Sequence, residues 1–246
     1  MGAGSVRARY LVYFQYLGTD FNGVAAVRGV QRAVGVQNYL EEAAERLNSV
    51  VPVKFTISSR TDAGVHALSN AAHLDIQRRS DLPPFSPEVL TEALNTHLKH
   101  PAIRVLQAFR VPSHFHARHA AISRTYLYRL ATGCPRPDRV PVFERNRCWA
   151  LQAERLQFWS LEFESQSFLY KQVRRMTAVL VAVGLGALMP AQVKAILESQ
   201  DPLGKHQSRV APAHGLFLKS VLYEGLGPTS MQPPRMPSET QYRSHR

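Results

Sequence analysis

VKFTISSRTDAGVHALSNAAHLDI, residues 53–76, reads as two strands separated by a polar loop. At one end Val53, Phe55 and Ile57 alternate with Lys54, Thr56 and Ser58; at the other Ala72, Leu74 and Ile76 alternate with His73 and Asp75. A period of two predicts a strand with one buried face at each end. Working toward the N-terminus, RARYLVYFQY (7–16) puts Tyr10, Val12, Phe14 and Tyr16 on one alternating face, and Gly18 follows as a stop. Val36, Leu40, Ala43, Ala44 and Leu47 then recur at helical spacing, while Glu41, Glu42, Glu45 and Arg46 face water. Toward the C-terminus, Ser86-Pro87-Glu88 offers a capping hydroxyl, a proline where no N–H is needed and an acid at the positive dipole end. That helix is predicted to run to about Leu98, and Ile103 and Val105 open another strand. The order β-α-β-β-α-β is that of a split βαβ, ferredoxin-like unit, an α+β arrangement with helices on one face of a mainly antiparallel sheet.

From about Phe115 the pattern partly repeats. Strands are predicted over 124–130 and 156–164, with a turn through Pro135, Pro137 and Pro141 between them. A helix follows with Leu169, Val173, Met176, Leu180 and Val183 on one stripe, ended by Gly184 and Gly186; a short helix (191–198) and a last strand (216–223) complete the core. The expected division is an N-terminal half-domain, 1–110, a C-terminal half-domain, 111–227, and a disordered tail, 228–246, where Pro228, Pro233, Pro234 and Pro237 stand among polar residues.

Composition narrows the partner class. The 246 residues hold 30 Lys and Arg against 18 Asp and Glu, a formal charge of +12, with 45% hydrophobic and 20% charged residues, so the chain as a whole is a folding one. An isoelectric point near 10.2 makes nucleic acid the leading partner, because a phosphate backbone rewards Lys and Arg through counterion release. The longest nearly apolar stretch, Thr177 to Met189, is shorter than the about twenty residues a membrane-spanning helix needs. Cys134 and Cys148 have no paired-ligand spacing, so neither a disulfide framework nor a thiolate zinc site is expected. Arg7 and Arg9, with no acid before Asp20, suggest mitochondrial import; an ordinary basic start to a cytoplasmic or nuclear protein is the alternative.

Candidate chemistry centres on Ser59 to Ala67. A carboxylate on a loop beside a rigid strand can serve as nucleophile, general base or electrostatic stabiliser; it can equally cap a turn in which Gly64 supplies a positive φ. His114, His116 and His119 alternate as zinc ligands do on a strand, but no acid completes the set and Arg118 would repel a cation, so no metal is expected. Tyr126 and Tyr128 share a strand face with Arg124 and Arg129 nearby, a mix that suits base stacking and phosphate contact as well as a core. Arg174 and Arg175 open an apolar helix against its dipole, which calls for a negative partner or for snorkelling to water.

RTDAGVHA (60–67) closely resembles the signature loop of the TruA-type tRNA pseudouridine synthases. YLGTDFNG (16–23), VQNYLE (36–41), FHAR (115–118), RTYLY (124–128), SFLYKQVRR (167–175) and APAHGL (211–216) resemble the same family in the same order, most like its animal members. The resemblance implies the pseudouridine synthase fold of two ferredoxin-like half-domains and an RNA-modifying isomerase that works on tRNA or another structured RNA without cofactor or metal. It implies that Asp62 is the catalytic group while the uracil–ribose bond breaks and carbon 5 replaces nitrogen as the attachment. Tyr126 matches the active-site tyrosine, Arg174 the helix arginine that pairs with the aspartate, and Arg60 the arginine that helps hold the nucleotide out of its stack. Leu218 is expected as an apolar wall under the uracil, with Arg118, Arg124, Lys171 and Arg175 on the RNA-binding surface. A homodimer is also implied.

Two departures stand out. Val24 and Ala25 replace a tryptophan and glutamine of the family pattern, and only 152–166 stand where the family places a helix, a loop and an additional strand. A shortened form joined near Leu151 and Gln152, as alternative splicing would produce, is expected, and with it the rival reading of a catalytically impaired RNA-binding protein. A sugar glycosidase is disfavoured, since no second acid lies near Asp62.

Overall fold

The computed structural model describes residues 6–27, 29, 34–79, 82–134, 136–199 and 210–226. Strand β1 (Arg7–Tyr16) lies between β3 (His66–Gln77) and β4 (Ile103–Val111), antiparallel to both, with Tyr10 opposite Leu74 and Val12 opposite Ala72. Its Leu11 and Tyr13 are as buried as Tyr10 and Phe14, so both faces of the strand are covered rather than the expected one. Helix α1 (Val36–Glu45) buries Val36, Leu40, Ala43 and Ala44; its first turn is closed by Asn38, whose Oδ1 accepts the N–H of Gly35 at 3.0 Å and of Val27 at 2.9 Å. Helix α2 (Pro87–Leu98) has the cap its sequence announced, Ser86 Oγ accepting the Val89 N–H at 3.3 Å, and buries Leu90, Leu94 and Leu98.

Strand β2 (Thr56–Ile57) is shorter than its alternation predicts, although Val53 and Phe55 are buried. The cause lies in α1. Glu41 Oε1 accepts the Phe55 N–H at 3.1 Å and Gln37 Nε2 donates to the Phe55 carbonyl at 2.8 Å, so helix side chains occupy the groups a ladder would use.

The second half comprises β5 (Ala121–Thr132), β6 (Trp149–Ala150), β7 (Gln157–Ser165), α3 (Gln172–Gly184), α4 (Pro190–Ser199) and β8 (Leu216–Tyr223). Although last in the chain, β8 sits between β3 and β5 and completes the order β4-β1-β3-β8-β5-β6, with β2 on β3 and β7 on β5. It runs parallel to β3 at His66 and Ala67 and antiparallel to β5. The sheet and its apolar core therefore continue across the boundary expected near residue 110.

The helix after β7 departs from its predicted stripe. It starts at Gln172 and buries Val173, Thr177, Ala178 and Val181, whereas Leu180 is half exposed and Leu169 precedes the helix altogether. No residue of α4 is buried. With Leu156, Phe158, Trp159, Leu180, Leu185 and Met189 each 46–62% exposed, β7, α3 and the turn after it present uncovered apolar surface. Among the described residues no helix is long and apolar enough to cross a membrane. The segment expected as a tail, 228–246, lies outside the described residues.

Candidate active site

The loop between β2 and β3 is fixed by its own polar side chains. Ser58 Oγ donates to the Ala117 carbonyl at 2.9 Å, Ser59 Oγ shares a hydrogen bond with the Tyr126 hydroxyl at 2.9 Å, and Thr61 Oγ1 shares one with the Tyr16 hydroxyl at 2.7 Å. Asn70, wholly buried on β3, donates to the Ser59 carbonyl at 2.9 Å and to the Tyr16 oxygen at 3.4 Å. The turn closes where the Val65 N–H reaches the Asp62 carbonyl at 3.2 Å and Gly64 takes φ +77°, a conformation open to glycine at little cost. Gly23 packs against the same loop at φ +87°, where a Cβ would fall 2.6 Å from the Thr61 carbonyl oxygen. The adjoining Val24 and Ala25 thus lie at the site: Val24 donates its N–H to Thr61 at 3.2 Å and Ala25 lines the cleft.

His66 ties the far end of the loop to three segments. Its Nδ1 accepts the Gly18 N–H at 2.9 Å and its Nε2 faces the carbonyls of Asn146 at 2.9 Å and His214 at 3.2 Å, so Nε2 carries the proton. Burial holds its pKa below the ordinary imidazole value, in keeping with a neutral ring.

Asp62 meets Arg174 at the mouth of a cleft of about 810 Å³. Arg174 Nη1 donates to Asp62 Oδ2 at 2.8 Å, and its Nε donates to the Ala211 carbonyl at 2.7 Å. The two side chains are 13% and 27% exposed, sheltered yet open on one side. Asp62 Oδ1 has no hydrogen-bond partner among the described residues. The dipole awkwardness of an arginine at the start of α3 is thereby relieved by a carboxylate.

Tyr126 forms part of the cleft wall, its ring edge-on to Phe168 with centroids 5.3 Å apart. Burial raises its phenol pKa, opposed in part by the Ser59 hydrogen bond, so the hydroxyl is neutral at physiological pH. Arg60, Arg118 and Lys171 also line the cleft, Arg60 and Arg118 being exposed.

Three expectations change. Leu218 is wholly buried and does not line the cleft; Leu216, two residues earlier on β8, does. Arg124, expected on an RNA-binding surface, does line the cleft but is 7% exposed: its guanidinium donates to the carbonyls of Gln166, Ser58 (3.3 Å) and Arg118 (2.9 Å), so it also clamps three chain segments. Arg175 is exposed but lies outside the cleft lining. Of the histidine trio, His116 and His119 meet at 4.3 Å between ring centroids with their planes tilted by 39°, beside His73 rather than His114, and among the described residues no group of three or more His, Cys, Asp or Glu is placed to hold a metal. Tyr16, Ser59, Thr61 and Asn70 had no assigned role; the available signal was polarity, an asparagine in an otherwise small and apolar run and serines at the end of a strand.

One cleft thus gathers a paired aspartate, a buried tyrosine and exposed arginines on a mixed sheet into which β8 is inserted. The profile of the tRNA pseudouridine synthase family matches residues 12–119 and 131–224, and the chain belongs to that family, whose members isomerise uridine to pseudouridine in tRNA. It is 68% identical to human tRNA pseudouridine synthase-like 1 over 93% of this chain and 94% of that one. The same-named protein of Xenopus laevis is 46% identical over 90% and 93%, and tRNA pseudouridine synthase A of Caulobacter sp. (strain K31) 32% identical over 89% and 99%. The human alignment spans 285 positions; 93% of 246 residues is about 229, so about 56 of those positions have no residue of this chain opposite them.

Proposed function

We propose that this chain isomerises uridine in a structured RNA, tRNA first among them, with Asp62 as the catalytic carboxylate, Arg174 as its orienting partner and Tyr126 as the group that stacks on the uracil. The observation that carries this reading is the Arg174–Asp62 contact at the cleft mouth, which engages Oδ2 and leaves Oδ1 for the substrate. The bond between uracil nitrogen 1 and the ribose anomeric carbon breaks, the base turns in the cleft, carbon 5 bonds to the same anomeric carbon, and the carbon 5 proton leaves while nitrogen 1 gains one. Atoms and charge balance within one nucleoside. The carboxylate is a far stronger base than a neutral phenol, so proton removal falls to Asp62, with the Tyr126 hydroxyl handing protons on through Ser59.

Arg60, Arg118 and Lys171 supply the charge that offsets extrusion of the target uridine, a cost of a few kcal/mol. The proposal extends to two half-domains meeting along β8, to a homodimer and to a mitochondrial site of action. It also holds that the chain is a shortened form, as alternative splicing would make; the unmatched positions and the uncovered apolar surface of β7 and α3 support this. Carbodiimide mapping of tRNA incubated with the wild type and with Asp62→Ala tests the catalytic reading. Modification by wild type alone is expected; RNA bound equally by both and modified by neither would instead identify an impaired RNA-binding form.

A further inference from the structure

Leu169 and Tyr170 are 80% and 70% exposed, among the most exposed apolar side chains described, yet they stand on the lip of the cleft that holds Asp62. Their backbone is firmly set. The Leu169 N–H donates to Gln172 Oε1 at 2.7 Å, the Gln172 N–H returns to the Leu169 carbonyl at 3.0 Å, and Arg175 N–H reaches the Lys171 carbonyl at 2.9 Å. Lys171 takes φ +57° between them, and its ammonium lies 4.7 Å from the centre of the Tyr170 ring. An aromatic ring held out in water on a pre-ordered turn, with a cation against it, costs hydration and little further ordering on binding.

We propose that Tyr170 is a stacking platform for a nucleobase next to the uridine that enters the cleft, with Lys171 contacting that nucleotide's phosphate. The proposal rests on the RNA-modifying reading and adds a subsite to it. Extruding one nucleotide leaves its neighbours without a stacking partner, and a ring at the cleft lip restores one face. The charge around the lip favours a polyanion over a protein partner: Arg60, Arg118 and Lys171 line it, while the acid there, Asp62, is already paired with Arg174.

The experiment uses the full chain and a tRNA stem-loop carrying 2-aminopurine on either side of the target uridine. Wild type quenches one of the two probes; Tyr170→Phe keeps the quench and stays within about twofold in KM, whereas Tyr170→Ala and Tyr170→Leu lose the quench and raise KM about tenfold with kcat at saturating RNA little changed. The Leu variant separates ring stacking from greasy contact, since it retains apolar area without a π-face. Leu197→Ala, equally exposed on α4, leaves all readings as in wild type. Quenching and KM unaffected by Tyr170→Ala overturn the subsite while the parent reading stands, as does a loss confined to kcat. A wild type that neither binds nor modifies the stem-loop overturns both.

Discussion

Arg174 and Asp62 lie 112 positions apart in the chain and meet through a single 2.8 Å hydrogen bond, Nη1 to Oδ2. The same guanidinium is anchored by Nε to the Ala211 carbonyl, and the Ala211 N–H returns to the Arg174 carbonyl at 3.2 Å. One planar cation thus joins the catalytic loop, the start of α3 and the approach to β8.

Because two donors of a fixed fork serve two partners, a lysine cannot substitute. Arg174→Lys is expected to lower kcat about a hundredfold while RNA binding stays within a few-fold, and Asp62→Asn about a thousandfold or more. Single-turnover rates beside filter-binding affinities check this; a lysine variant with wild-type rate would show that the orientation of Asp62 does not depend on the fork.

Tyr126→Phe keeps the ring and removes the hydroxyl that Ser59 holds, so a rate about ten- to a hundredfold lower with unchanged affinity is expected. Burial raises the phenol pKa, so a step that needs the neutral hydroxyl persists through the ordinary tyrosine range near 10 and declines only above it. The rate profile of wild type against Tyr126→Phe reads this directly: the alkaline decline should vanish in the phenylalanine variant.

Arg124 is a buried cation whose partners are carbonyls from three segments. Arg124→Met would leave those carbonyls without donors, at a cost of about 2–4 kcal/mol, and should lower the denaturation midpoint in urea accordingly. A variant as stable as wild type would move Arg124 back among the RNA contacts.

His73 carries an acid-side stability effect. Its Nδ1 accepts the Ala117 N–H at 3.1 Å, which requires that nitrogen unprotonated, and burial lowers its pKa to about 4 from the ordinary 6.5. The unfolded chain therefore takes up the proton first as pH falls. Stability from this site is full above about 6.5 and drains away toward about 4. Thermal midpoints of wild type and His73→Gln should converge across that window; parallel curves would discard the assignment.

Much of the architecture was visible in the chain. The alternation of residues 7–16, the helical spacing from Val36 and the Ser86 cap each became the element they announced, because local period and capping chemistry act within a few residues. Legibility failed where a distant partner intervened. The backbone of Phe55 pairs with α1 side chains and not with a strand, and α3 buries Val173, Thr177, Ala178 and Val181 rather than the stripe its spacing suggested. Leu216 and Leu218 look alike in sequence, since both stand on the same alternating face, and only the position of β8 beside β5 decides which one reaches the cleft.

By itself the amino-acid order determined the α+β class, the basic surface suited to RNA and the loop bearing Asp62, since charge, period and a compact motif are properties of residue type and short spacing. Tertiary structure alone decided that Arg124 turns inward as a clamp and that Tyr170 stands out beside the cleft; for Arg174 and Asp62, a pair the family resemblance already implied, it set the 2.8 Å contact. The contacts behind those relations join residues as far as 42, 66 and 112 positions apart, and contacts at such separations leave no local trace.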